Sequence, residues 1–183
     1  MKNFLPVIVI ATMAVASTPA KGETKTLHYP TQDATMFSID APADWAVTEI
    51  EEVGDYGSLQ SENGSVLQFR AVQCANDEEA VKEIDSIVSS TPGFLQENYT
   101  DIQLDDPEEI TIEGQSGSQL SGTAKDKQGN VVKFLSAMLL LGPTTVAEIW
   151  AVVFPEGKGN DDLAVATAVL QSFKPTGGSA GGE

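Results

Sequence analysis

The chain has 183 residues, 41% of them hydrophobic, with 10 basic and 27 acidic side chains and a formal net charge of −17. That length supports one domain with a real core, and the composition excludes a wholly disordered chain. A surface this acidic repels nucleic acid and anionic membrane, so neither is expected as a partner; its simplest consequence is solubility.

Residues 1–20 read as a secretory signal peptide. Lys2 supplies the positive end, an apolar run covers 4–15, and Ser17, Thr18, Pro19 and Ala20 are small. The run is too short for a permanent membrane span, which needs ~20 apolar residues. Removal is expected near Ala20, leaving a periplasmic or secreted protein. Residues 21–35 are a polar lead-in without regular structure, 36–175 a single globular domain, and 176–183 a Gly/Ser-rich tail expected to be disordered.

Within the domain, Phe37, Ser38 and Ile39 begin a strand that turns at 40–44 and returns over 45–50 as the other arm of a hairpin. An acidic loop with two glycines covers 51–57. A third strand over 58–60 leads to Asn63-Gly64, a dipeptide suited to the φ > 0 of a tight hairpin. The fourth strand, 65–74, puts Leu67, Phe69 and Ala71 on one face. The period then changes. Asn76 or Asp77 caps a helix whose apolar face is Ala80, Val81, Ile84, Ile87 and Val88. Thr91, Pro92 and Gly93 interrupt it, and a short helical turn resumes over 94–99.

An acidic connector, 101–109, precedes strands at 110–113 and 118–124. Residues 131–154 are two long apolar segments around Gly142-Pro143, apolar on both faces. Strands covered on both sides have that pattern, so this hairpin belongs in mid-sheet. After a loop at 155–159, Asn160 or Asp161 caps a last helix through Leu163, Ala166, Val169 and Leu170, with Phe173 docking its end. Short turns make the strands antiparallel, and two helices flanking a doubly covered sheet predict an α+β fold. The specific expectation is a three-layer α/β/α sandwich on a mainly antiparallel sheet of about six to seven strands.

The spacing Phe37-x-Ile39-x-x-Pro42-x-x-Trp45 resembles the start of PsbP-like domains, and the close at Ser172-Phe173 resembles the end of their terminal helix. The resemblance is to the PsbP-like (Mog-PsbP-like) family, with its small exported bacterial members of the DcrB and LpqN types, and it spans roughly 35–175. It implies a non-enzymatic binding or assembly domain with no shared catalytic residue. Bacterial members are often lipoproteins, and this chain departs from them in having no lipid-acceptor Cys near the cleavage point.

No catalytic constellation emerges. His28 is the single histidine and lies in the lead-in, without a residue to orient it towards the lone Cys74. One cysteine cannot form an internal disulfide, and the strand position of Cys74 predicts burial. Gly114-Gln115-Ser116-Gly117 falls short of a nucleophile elbow. The acidic runs Asp101, Asp105, Asp106, Glu108, Glu109 and Asn160 to Asp162 lack calcium-loop spacing, so no metal and no cofactor is expected. Trp45 and Trp150 lie in strands and are expected in the core. Tyr56, Asp101, Asp105, Asp106, Glu108 and Glu109 are the exposed residues nominated for contact with a partner. The chain is thus expected to be an exported, non-catalytic, monomeric domain that binds a protein of the cell envelope. A carrier of a small apolar ligand or lipid, with a pocket near Phe69, Ile84 and Trp150, is the alternative; an uncharacterised hydrolase is the third reading.

Overall fold

The computed structural model describes residues 23–48, 50, 52–154 and 162–176. The expected signal segment, the 155–159 loop, the caps proposed at Asn160 or Asp161 and the tail beyond Thr176 lie outside these residues.

The apolar hairpin is the centre of the molecule. Strand β9 (Val131–Leu140) pairs with β10 (Thr145–Val153), Val146 opposite Leu140 and Val153 opposite Lys133. Nearly every side chain of β10 is buried. Its other neighbour is β5 (Val66–Gln73), and the large sheet continues outward through β4 (Gly57–Gln60) to β3 (Ala46–Thr48). Beyond β9 lie β8 (Gln115–Lys125) and then, side by side along it, β6 (Thr100–Leu104) and β7 (Glu108–Ile112). The sheet has eight strands where six or seven were expected, and every described pairing is antiparallel. The strand expected at 110–113 begins earlier, at Glu108, and the addition is β6: the start of the acidic connector hydrogen-bonds its backbone to β8.

One face of the sheet is covered by α1 (Asp77–Gln96). Asn76 caps it, accepting the Glu79 N–H at 2.9 Å, and three acidic residues sit in the first turn. The helix does not stop at 91–93. Pro92 forfeits one intrahelical bond, yet the buried stripe Ala80, Ile87, Thr91, Leu95 runs straight through it. Ending the helix early would expose Leu95, which is 1% exposed among Leu120, Ala124 and Phe134.

The opposite face carries a mixed layer rather than a layer of helix alone. Strand β1 (Thr24–Tyr29) pairs with β2 (Phe37–Pro42), whose other edge takes β11 (Lys174–Pro175). Helix α2 (Asp162–Gln171) packs beside this small sheet and closes the core with Ala166, Val169 and Leu170. Two expectations are corrected here. Residues 24–29 form a strand, because Leu27 and Tyr29 face the core while Thr24 and Thr26 on the alternate face are exposed. The strand at 37 does not form a hairpin with 45–50. The chain leaves the small sheet at Pro42, turns with the Trp45 N–H on the Pro42 carbonyl, and joins the large sheet at β3. Trp45 is buried at that crossing, 4% exposed, as expected.

Four aromatic rings bind the layers together. Tyr29 stacks on Phe37 at 4.9 Å, Phe37 meets Phe173 at 5.1 Å, and Phe69 of the large sheet meets Tyr29 and Phe37 edge-on at 6.2 and 6.3 Å. Among the described residues no helix is long and apolar enough to cross a membrane.

Close strand packing also sets a glycine requirement. A Cβ on Gly117 would run into the Met138 carbonyl and lie 3.0 Å from Leu139 Cα, both backbone groups that have no room to move. Gly117→Ala should therefore cost about 3 kcal/mol or more. Gly93 lies on the open side of α1, where a Cβ would meet nothing within 4 Å. It should instead gain about 0.5–1 kcal/mol on substitution by Ala. Urea unfolding midpoints of the two variants check both signs.

Candidate functional site

The α1 face of the central strands alternates with the aromatic core face. On β5 the residues between Leu67, Phe69 and Ala71 are Gln68 and Arg70; on β10 the residues between Ala147, Ile149 and Ala151 are Glu148 and Trp150. Arg70 stands directly opposite Glu148, and Gln68 directly opposite Trp150. These four, with Phe134 and Ser136 of β9, form the floor of a cleft of about 180 Å³. Helix α1 supplies the wall through Ile87, Ser90, Thr91 and Phe94, and Tyr56 stands at the rim.

Arg70 is the single arginine of the chain. Its Nε donates to Glu148 Oε2 at 2.6 Å, and the Tyr56 hydroxyl donates to the same oxygen at 3.0 Å. The guanidinium carbon lies 4.5 Å over the Tyr56 ring, a cation–π contact. Glu148 sits in the most buried strand of the protein, its side chain 8% exposed, and a carboxylate there requires such partners. Burial works against the charge on Arg70, but the hydrogen bond and charge of Glu148 outweigh it and the pKa is raised. Burial first, then the Glu148 charge, push the Tyr56 phenol up to about 12, against the opposing pull of Arg70. Tyr56 is thus a neutral donor throughout the physiological range.

The core places Tyr56. The ring of Tyr29 is fully buried, and its hydroxyl accepts the Gly54 N–H at 2.8 Å and donates to the Asp55 carbonyl at 3.1 Å. Gly54 adopts φ 101°, open to glycine at no cost. The next glycine lets the chain descend onto the sheet: a Cβ on Gly57 would strike the Phe69 ring at 2.5 Å. Between these two fixed points Tyr56 projects over Arg70.

The nominated partner residues do not form one site. Tyr56 belongs to the cleft, whereas the acidic residues line the far edge of the sheet. Asp101 pairs with Lys125 at 2.8 Å, and that hydrogen bond and charge hold its carboxyl below the usual range. Asp105 accepts the Ser121 hydroxyl at 2.6 Å, joining β6 to β8. Asp106 lies exposed between β6 and β7, and Glu108 and Glu109 are exposed on β7 opposite Gln119 and Ser118. Among the described residues no group of three acidic, histidine or cysteine side chains converges as metal ligands would.

The remaining candidates separate as well. His28, in β1 of the small sheet, has Nδ1 3.4 Å from Thr35 Oγ1. Cys74 packs with the α1-face cluster of Ile84 and Met138, on the opposite side of the large sheet. It is half-exposed rather than buried, because β5 has ended at Gln73; some burial, followed by the Glu83 and Glu79 carboxylates, raises its thiol pKa. A thiol held protonated is a poor nucleophile. Trp150, expected as plain core, is half-buried and meets Phe94 edge-on at 5.4 Å; Phe94 itself is 46% exposed. Phe69, named for a pocket with Trp150, points to the other face of the sheet.

Arg70 and Glu148 were missed by sequence reasoning. The signal was present: a lone arginine within one apolar strand and a lone carboxylate within the other. Their pairing depends on register, which the sequence did not display.

No family model matches the chain, and no curated protein sequence does. Solved structures do. LpqN of Mycobacterium tuberculosis, a protein involved in cell envelope biogenesis, is 15% identical with a TM-score of 0.53, over 82% of this chain and 89% of its own. Cyanobacterial PsbP from Synechocystis sp. PCC 6803 is 12% identical with a TM-score of 0.52, over 88% of this chain and 98% of its own. The fold is of the PsbP/LpqN type. At these identities the likeness concerns the fold alone.

Three outcomes are expected. Arg70→Met should cost about 2–4 kcal/mol by stranding Glu148, and adding Glu148→Met should recover more than half of it in denaturant unfolding. In an ultraviolet titration, Tyr56→Phe should remove the phenol that ionises near pH 12. Its folded pKa lies above the ordinary 10.0, so its contribution to stability is complete below pH 10 and falls as pH rises towards 12. Tyr29→Phe should cost about 1–2 kcal/mol and, by releasing the loop, bring the Tyr56 ionisation back towards its ordinary value.

Proposed function

We propose that this chain is an exported, non-catalytic domain of the cell envelope that binds another protein through the cleft between α1 and the sheet. The make-up of that cleft carries the reading. Tyr56 and Phe94 are large aromatic side chains left 38% and 46% exposed, beside the half-buried Trp150 and the single arginine. Aromatic residues and arginine supply most of the hot spots at protein interfaces. The volume, about 180 Å³, is below the ~300–1,000 Å³ of typical small-molecule sites. It suits one inserted side chain, which favours a protein partner over a carried lipid. Glu148 is held by both Arg70 and Tyr56, and the Tyr56 phenol stays protonated, an arrangement suited to binding rather than proton transfer.

The likeness to LpqN supports the envelope setting. The 1–20 leader pattern supports export, with a periplasmic or secreted product after removal near Ala20.

A photoreactive residue placed at Phe94 tests the reading in the native host. It should cross-link to an envelope protein, while the same group at Val131, exposed at the start of β9, should not. Absence of an adduct from position 94, or the same adducts from both positions, would refute it.

A further inference from the structure

Among the described residues, Arg70 uses one of its five N–H groups. Its Nε is taken by Glu148, and no other hydrogen bond from the guanidinium is made to a described residue. Nη1 and Nη2 therefore keep four donors for the cleft, on a side chain that is only 24% exposed. The end-on pair of Nη groups is the edge that receives a carboxylate through two parallel hydrogen bonds. The Gln68 amide, one register step away, makes no hydrogen bond to a described residue and adds two more donors. The nearest acceptor, Glu148 Oε2, already holds both Arg70 and Tyr56, and the Tyr56 phenol is neutral. The floor of the cleft thus keeps six N–H donors for a ligand, four on Arg70 and two on Gln68, beside the remaining oxygens of Glu148, Gln68 and Ser136. Apolar side chains surround these donors: Trp150 and Phe134 on the floor, Ile87 and Phe94 on the wall.

The spacing of the two halves adds a constraint. Arg70 faces Glu148 across the ladder and Trp150 is two residues further along β10, so Arg70 and Trp150 are diagonal neighbours about 7–8 Å apart at the backbone. A ligand must present an anion and an apolar group close together. A C-terminal residue does so, because its carboxylate and its side chain leave the same α-carbon. An internal Asp or Glu does so only with an apolar residue two positions away, since adjacent side chains of an extended peptide point to opposite sides; the comparison of free acid with amide separates the two cases.

We propose that the cleft captures the C-terminal end of a partner polypeptide. The free carboxylate lies on the Nη edge of Arg70, and the last side chain, large and apolar, lies between Phe94 and Trp150. The inference rests on the protein-binding reading above and specifies what that partner offers. The chain's net negative charge opposes an anion at long range, but that field is screened beyond about 10 Å at 0.1 M salt. At contact the Glu148 and Glu83 carboxylates also act on Arg70, so the incoming carboxylate is held by the Nη donors and not by net charge.

The test uses the full chain and fluorescent peptides ending in Gly-Gly-Phe, as free acid and as C-terminal amide. The free acid should bind at least tenfold more tightly, and Gly-Gly-Ala should lose a similar factor. Arg70→Lys keeps a cation for Glu148 but removes the fork, and should abolish the acid-over-amide preference. If that variant fails to fold, the acid and amide comparison on the unaltered chain decides alone. Equal binding of acid and amide, or no binding of either, overturns the inference. The two readings fail separately. An adduct at Phe94 with a partner whose binding survives removal of its last residues leaves the protein-binding domain standing and sinks C-terminal capture. Tight free-acid binding with no adduct at Phe94 supports the carboxylate site and sinks the proposed envelope partner.

Discussion

Tyr29 is the contact on which both the core and the cleft depend. Its ring is sealed between Phe37 and Phe69, joining the small sheet to the large one. A fully buried hydroxyl must find partners, and this one finds two on the backbone at Gly54 and Asp55. The same residue thus packs the second layer and fixes the loop that carries Tyr56. Rim and core are mechanically one object: what holds the two sheets together also holds the aromatic edge of the cleft in place.

The central strands explain why the charged pair lies where it does. With both faces covered, β10 has no polar side to offer to water, and Glu148 would be an uncompensated buried charge. Arg70 on β5 is the direct cross-strand answer, and Tyr56 shares the same oxygen. Helix α1 does not seal this spot. Above it lie Ser90 and Thr91, small residues whose hydroxyls are turned to the Ile87 carbonyl, and Phe94 leans towards Trp150 rather than over Arg70. A cleft opens where the helix is thin and the sheet is polar.

The neighbours sharing this fold are only 15% and 12% identical to the chain, and a common fold at that distance leaves function to the site. In this chain the site centres on one arginine, one glutamate and four aromatic side chains. The acidic β6–β7 edge has a different part to play. There Asp101 and Asp105 tie strands together, and the outward carboxylates keep an exposed sheet edge from pairing with other chains.

Much of the architecture was legible because it is written locally. The doubly apolar run at 131–154, the Asn63-Gly64 turn and the Asn76 cap each specify their structure through period or backbone preference, whatever lies around them. What the sequence left open was decided by partners distant in the chain. Thr24–Tyr29 is a strand because Phe37–Pro42 offers it an edge. The start of the acidic stretch is a strand because β8 is long enough to seat β6 beside β7. The helix crosses Pro92 because Leu95 has a core to reach. For the site, the sequence by itself pointed only to the tyrosine; the lone arginine and the carboxylate stood in their apolar strands without a visible connection. Only the tertiary structure brought them to one oxygen, because strand register and a loop held by a buried hydroxyl are set by contacts between residues dozens of positions apart.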